Sequence, residues 1–187
     1  MSRLILIRHG ETDLSGRFCG QMDPDLNARG EEQVRELERM LKNVQMAQVY
    51  SSDLLRARRT AETVARVTGA QLQLAPELRE ISFGDWEGLH WSEIESRFPD
   101  EAALWLNEYP HHPAPGGESL RDFEGRVLKV AANILAAESG TVCIVSHGGV
   151  MRLLLQHFSG VSDDEAWTLT KEHVTPIAID AAEVVLR

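Results

Sequence analysis

The sequence predicts an α/β fold with a mainly parallel central sheet, and three observations carry that expectation. Short continuous apolar runs, Leu4 to Ile7 and Thr141 to Val145 foremost, have the character of strands covered on both faces. Longer segments between the strands repeat apolar residues at helical spacing. Strand and helix alternate along the chain, which is the pattern of parallel crossover units.

The elements follow in order. After the first strand, Leu26 to Asn43 reads as a helix, with Asn27 as its N-cap, Glu31 and Glu32 near its positive end, and Val34, Leu37 and Leu41 on one face. A short strand, Ala47 to Tyr50, leads into Ser51-Ser52-Asp53, which is expected to cap a helix running to about Val67 and stopping near Gly69. Gln71 to Leu74 alternates polar and apolar and reads as a strand ended by Pro76. From about Arg79 to Pro115 the character changes: three of the four tryptophans, proline-bounded turns and two short helical stretches lie here. This stretch is expected to form a lid-like insertion at about 79–115, its aromatics lining a pocket wall or packing a core. Gly116-Gly117 opens a helix from Glu118 to about Ala137, with Phe123, Val127, Val130 and Ile134 on one face. The strand Thr141 to Val145, a helix from Val150 to about His157, and strands near Pro176 to Asp180 and Val184 to Leu186 complete the chain. With no repeat, low-complexity tract or linker in 187 residues, a single domain spanning 1–187 is expected.

Composition narrows the function classes. The 19 Lys and Arg against 29 Asp and Glu give a formal net charge of −10, which repels duplex nucleic acid and anionic membrane surfaces. An anionic ligand then requires a local cluster of cations. No stretch approaches the ~20 apolar residues of a membrane helix, and Leu4 to Ile7 is too short for a signal segment. A cytoplasmic protein is expected, with Cys19 and Cys143 as reduced thiols.

Three strands end alike. Leu4 to Ile7 gives Arg8-His9-Gly10; Ala47 to Tyr50 gives Ser51-Ser52 with Arg56 one turn on; Thr141 to Val145 gives Ser146-His147-Gly148. The carboxyl ends of parallel strands share one edge of the sheet, and ligands bind at that edge. Two histidines and two arginines therefore converge there. Arginine suits a phosphate because its planar fork offers two hydrogen bonds at once, and the amides of Gly148-Gly149 at a helix start add donors. Each piece alone is weak, since a lone strand-end histidine is more often structural. Arg58 and Arg59 read as a solvated helix face, Cys19 as packing, and His111-His112 as a surface loop with no third metal ligand at useful spacing. The coincidence of three strand ends outweighs those readings.

Leu6 to Thr12 resembles the signature of the histidine phosphatase superfamily, also called phosphoglycerate mutase-like. The likeness extends through Gly20-Gln21-Met22-Asp23, Ser51 to Ala57, Thr60 to Thr63, Leu78 to Gly88, Pro115 to Ser119 and Val145 to Gly149. The resemblance implies a three-layer α/β/α, phosphoglycerate mutase-like fold and a phosphomonoester hydrolase of acid type, with no metal and no cofactor. It implies that His9 attacks phosphorus to form phosphohistidine. Arg8, Arg56 and His147 would clamp the phosphoryl oxygens, and Glu80 would act as general acid and then base. Gly20, Gln21 and Gly148 fall among the implied substrate-binding positions. One departure stands out. The family's usual phosphate-binding asparagine is missing from Asp13 to Gly20, so Ser15 or an inward Arg17 is the candidate replacement.

The short segment between Glu80 and His147 and the run Phe83-Gly84-Asp85-Trp86-Glu87 look like the phosphatase side rather than the mutase side. The run and the segment near Trp105 are similar to α-ribazole phosphatases, which act in the nucleotide loop of cobalamin synthesis. A broad-specificity sugar or nucleotide phosphatase, a phosphoglycerate mutase and an inactive phosphate-binding module are the alternatives. The expected partner is a small phosphate monoester, and the sequence leaves oligomeric state open.

Overall fold

The computed structural model describes residues 3–108 and 111–180. The sheet has five strands: β1 (Arg3–Arg8), β2 (Gln48–Ser51), β3 (Gln71–Leu74), β4 (Thr141–Ser146) and β5 (Ile177–Asp180), in the order β3-β2-β4-β1-β5. All pairings are parallel except β5, which runs antiparallel to β1. In β1 and β4 alternate side chains enter two separate cores, because successive residues of a strand point to opposite faces. Leu4, Leu6, Val142 and Ile144 pack with α5 (Leu120–Ala137) and α6 (Gly148–Ser159), through Phe123, Val127, Ala131, Met151 and Leu154. Ile5, Ile7, Cys143 and Val145 pack with α1 (Ala28–Leu41) and α2 (Leu55–Thr68), through Val34, Leu37, Ala61 and Val64. The result is the expected α/β/α sandwich, and burial pushes the Cys143 thiol upward, so it packs as an apolar side chain.

Helix boundaries moved where side chains found better partners. Asn27 does cap α1, accepting from Gly30 N at 2.8 Å. The expected cap of α2 at Ser51-Ser52-Asp53 does not form: Leu54 holds the N-cap position without a side-chain bond. Ser52 Oγ meets His147, and the Asp53 carboxylate accepts two hydrogen bonds from Arg79, at 2.7 and 2.5 Å. Asp23, distant in sequence, accepts from Leu55 N instead, at 2.5 Å. Helix α5 starts at Leu120 behind a Ser119 cap, because Glu118 turns to Arg126 at 2.7 Å. Helix α6 begins two residues earlier than expected, at Gly148. A further helix, α7 (Asp163–Thr170), was not anticipated. The strand expected at Val184 to Leu186 lies outside the described residues.

The stretch 79–115 follows a 3-10 turn at Pro76–Leu78 and carries another at Gly84–Trp86, then α3 (Trp91–Arg97) and α4 (Pro99–Glu108). Its aromatics do both things the sequence allowed. Trp86 is fully buried in a small core with Ile94, Ala102 and Ala114, while Phe83 and Trp105 pack on that core and also wall a cavity. Gly84 has φ +52, and a Cβ there would strike the Pro115 carbonyl, so the close approach of the two ends of the stretch, where Asp85 N donates to Pro115 O at 2.9 Å, requires glycine at this position.

Candidate active site

The ends of β1, β2 and β4 bring Arg8, His9, Ser51, Ser52, Ser146 and His147 to one edge of the sheet. There Arg8, His9, Arg56, Glu80, Gly148 and His173 line a cavity of about 140 Å³ together with Thr12, Leu14, Ser15, Cys19, Gly20 and Phe83. His9 is buried at 7% exposure, and its Nδ1 lies 2.7 Å from the Gly10 carbonyl. A carbonyl can only accept, so Nδ1 carries the proton and Nε2 is bare. Arg56 Nε donates to that bare Nε2 at 3.2 Å. Burial first, then the neighbouring His147, Arg56 and Arg8, hold His9 well below the ordinary histidine range. Neutral His9 thus presents a lone pair among cations.

The guanidinium of Arg56 is held at 1% exposure by the carbonyls of Met22 and Gly20, at 2.6 and 2.8 Å. Gly20 sits at φ +50, and a Cβ there would strike the Glu87 carboxylate. That carboxylate in turn accepts from Gln21 N at 2.9 Å and Phe83 N at 3.1 Å, tying the Gly20 loop to the Phe83 turn. Arg8 Nη1 donates to Thr170 O at 3.1 Å and Lys171 O at 2.7 Å. Its Nε is buried without a partner, as is His147 Nδ1. Buried polar atoms are nearly always bonded, so two orphans from different strands beside one histidine mark a place for a ligand. Those rings are close, with the His9 and His147 centroids 5.1 Å apart. His147 Nε2 lies 2.9 Å from Ser52 Oγ, and burial, followed by Arg56, Arg8 and Arg126, keeps His147 well below its ordinary pKa.

Glu80 is oriented from both ends. Its carboxylate accepts from Ile81 N at 3.1 Å and from Gly149 N at 3.0 Å. The Gly149 amide, expected to face an anion, therefore serves Glu80. The Glu80 carbonyl accepts from Arg126 Nη2 at 3.0 Å, while Arg126 Nη1 holds the Arg79 and Glu77 carbonyls, each at 2.7 Å. Ser146 Oγ donates to Leu78 O at 2.7 Å, which ties this segment to the end of β4.

Most residues expected at the site are brought together, with differences at His147, Gln21 and Arg17: His147 is buried beside His9 and does not itself line the small cavity. Gln21 is absent from the cavity lining and gives its amide to the Glu80 carbonyl at 3.3 Å. Arg17 borders the cavity, but its Nη1 is engaged by Gly88 O and Glu93, at 2.8 and 2.9 Å. Ser15 lines the cavity from an exposed position. Two supporting residues escaped the sequence reading. Arg126 sits mid-helix with no motif around it, and His173 follows no apolar strand, so neither gives a local signal. His111 is exposed, whereas His112 borders the larger cavity. Among the described residues no three His, Cys, Asp or Glu side chains are grouped to hold a metal ion, and no helix is long and apolar enough to cross a membrane.

A second cavity, of about 750 Å³, adjoins the first through Gly16, Arg17 and Phe83. Its walls come from Phe83 and Trp105, from Leu120 and Phe123 of α5, from Arg152, Leu153 and Gln156 of α6, and from Asp163 and Trp167 of α7. The Arg152 guanidinium stacks over Trp167 at 4.6 Å.

The chain is 33% identical to an adenosylcobalamin/α-ribazole phosphatase of Escherichia coli, with 95% of this chain and 89% of that protein covered. It is 31% identical to phosphoserine phosphatase 1 of Hydrogenobacter thermophilus, covering 90% and 81%. The α-ribazole phosphatase structure from Shigella flexneri superposes with a TM-score of 0.85 at 33% identity, covering 95% of this chain and 90% of that one. Residues 4–185 match the histidine phosphatase superfamily, branch 1, and with the sheet edge and its histidines in the arrangement described above, the chain belongs to that superfamily.

Proposed function

We propose that this protein is a metal-independent phosphomonoester hydrolase that works through a phosphohistidine on His9, with α-ribazole 5′-phosphate as its substrate. One observation carries the reading: a neutral His9 with a bare Nε2 faces a cavity of phosphate size lined by Arg8 and Arg56, with the unpartnered Arg8 Nε and His147 Nδ1 buried close by. In the first step the Nε2 lone pair forms a bond to phosphorus as the ester P–O bond breaks, and Glu80 gives its proton to the departing oxygen. The attack frees Arg56 Nε for a phosphoryl oxygen. Arg8 Nε supplies another donor. Ser52 Oγ already accepts from Leu54 N, so its own proton can go to His147 Nε2, which leaves Nδ1–H as a donor to the phosphoryl group. In the second step water attacks phosphorus, Glu80 takes its proton, and the P–N bond breaks to restore His9. Donors fixed in place for charge that develops at phosphorus supply most of the acceleration.

The larger cavity supports the choice of substrate. A cavity of about 750 Å³ with Phe83, Trp105, Leu120, Phe123 and Trp167 among its walls, and Arg152, Asp163 and Glu118 for polar contacts, accommodates a nucleoside-sized alcohol. The test is steady-state hydrolysis of α-ribazole 5′-phosphate, phosphoserine, sugar phosphates and 3-phosphoglycerate, each with and without EDTA. The expectation is a kcat/KM for α-ribazole 5′-phosphate at least about tenfold above the others, or roughly 1.4 kcal/mol of transition-state preference, unchanged by EDTA. A preference for phosphoserine, or isomerisation of 3-phosphoglycerate without phosphate release, overturns the substrate reading. Loss of activity in EDTA with recovery on a divalent metal overturns the chemistry.

A further inference from the structure

We propose that His173 is a further phosphate ligand, donating from Nε2 as an imidazolium once the phosphoryl group is bound. The proposal rests on the phosphatase reading and deepens it. His173 lines the small cavity, its ring centroid 5.4 Å from that of His9. Its Nδ1 is 2.7 Å from the His9 carbonyl, so Nδ1 carries a proton and donates. Nε2 is then the one side-chain atom left to meet a ligand. In the neutral ring that atom is a lone pair, which repels a phosphate oxygen unless one of the two carries a proton.

The backbone holds this placement under strain. Val174 adopts φ +51, a left-handed conformation that a β-branched residue avoids, and its N–H donates to the Arg8 carbonyl at 2.9 Å. Strain of this kind persists only where the surroundings impose it, and it gathers at functional sites. The same turn presents the Thr170 and Lys171 carbonyls to the Arg8 guanidinium. The last turn of α7 and the residues after it therefore press His173, Arg8 and His9 together. Ser15 and Arg17, the other candidates for an additional ligand, are respectively exposed and engaged by Glu93.

The groups that face His173 set its proton. Burial and Arg8 favour the neutral ring, while the bond to the His9 carbonyl, Glu11 and Glu172 favour the charged one. A phosphate dianion between Arg8 and His173 tips this balance toward imidazolium, so binding takes up a proton. Affinity referred to the dianion, with phosphate's own ionisation allowed for, should then weaken as pH rises through the neutral range.

Two variants separate ligand from prop. Asparagine can place its amide nitrogen near the position of Nδ1 and keep the bond to the His9 carbonyl, whereas glutamine can reach toward the position of Nε2 and loses that bond. Inhibition by inorganic phosphate is measured between pH 5.5 and 8.5 for wild type, His173→Asn and His173→Gln, with KM and kcat alongside and thermal unfolding to confirm that each is folded. If His173 is a ligand, His173→Asn binds phosphate about tenfold more weakly below pH 7, as expected for loss of a charge-assisted bond. Its inhibition loses part of the pH dependence, and His173→Gln recovers part of the affinity. If His173→Asn matches wild type while His173→Gln alone is impaired, the residue only props His9 and the proposal is overturned. A measurement on the wild type removes dependence on the variants: the His173 ring, followed by NMR, should titrate at higher pH with phosphate bound than without. No upward shift overturns the proposal as well. A wild type that neither binds phosphate nor hydrolyses monoesters would instead remove the phosphatase reading on which the proposal stands.

Discussion

In the proposed mechanism Glu80 and Arg56 act on the same phosphoryl group by different physics, and substitution separates them. A general acid matters in proportion to how basic the departing oxygen is. Glu80→Gln keeps the size and one acceptor oxygen, gives up the acceptor for the second backbone N–H, and cannot transfer a proton. Its single-turnover rate on an alkyl phosphate should fall by about 10²–10⁴, while the first step with p-nitrophenyl phosphate falls much less, because nitrophenolate leaves unaided. In the proposed mechanism, hydrolysis of the phosphohistidine still needs a base, so a nitrophenol burst followed by slow turnover is expected from that variant. Equal first-step losses on both esters would show that Glu80 only positions substrate. Arg56 contributes charge and also holds the Gly20 and Met22 carbonyls, so Arg56→Ala loses both. Ser15, exposed at the cavity edge, can offer one neutral hydrogen bond worth about 0.5–1.5 kcal/mol. Ser15→Ala should therefore lower kcat/KM by less than about tenfold, far less than Arg56→Ala. Similar losses from the two would invert this ranking.

At the level of elements, α6 aims its first turn at a protein carboxylate. The Gly149 amide holds Glu80, and a Cβ on residue 149 would strike that carboxylate. Gly149→Ala should lower kcat while leaving the melting temperature near that of wild type, since alanine favours a helix over glycine by about 1 kcal/mol. An active Gly149→Ala enzyme would mean that Glu80 tolerates displacement. The elements also show what local sequence can and cannot announce. Leu4 to Ile7 and Thr141 to Val145 are uniformly apolar because both faces are covered, so the strands, their shared edge, and His9 with His147 were all legible. Helix α7 was not, since it buries only Ala166 and Thr170 and leaves no apolar stripe to read. With α7 unseen and β5 returning antiparallel, nothing local could bring His173 back to β1. The cap of α2 by Asp23 and the hold of Arg126 on the Glu80 carbonyl are likewise long-range bonds.

Across the whole molecule, a chain of formal net charge −10 concentrates Arg8, Arg56 and three histidines at one point. Burial lowers the pKa of both arginines, the mark of cations held where solvent cannot relax them. Such a site weakens the unliganded fold, and an anion should restore what is lost. The histidines fix the sign. His9 and His147 lie well below the ordinary value of 6.5 when folded, and His173 lies below it too. Below about pH 6.5 the unfolded chain binds protons that the native pocket refuses, so stability falls as pH drops, by roughly 1.4 kcal/mol per pH unit for each fully buried histidine. Above that pH both states are neutral at these rings and the effect vanishes. The salt-bridged carboxylate of Asp53, held low first by Arg79, begins to matter only below its ordinary value of 3.8, which leaves the window from pH 5 to 6.5 to the histidines. Bound phosphate favours the imidazolium forms and opposes the loss. Saturating phosphate at about 100 times its Kd adds roughly 2.7 kcal/mol, equivalent to about 5–10 °C in Tm for a domain of this size. Melting curves at pH 7.5, 6 and 5, with and without phosphate, should show Tm falling with acidification in phosphate-free buffer. The gap between the two buffers should widen as pH drops. A Tm that is flat from pH 7.5 to 5, or a phosphate effect that shrinks on acidification, would mean that the pocket histidines are not held neutral by the fold.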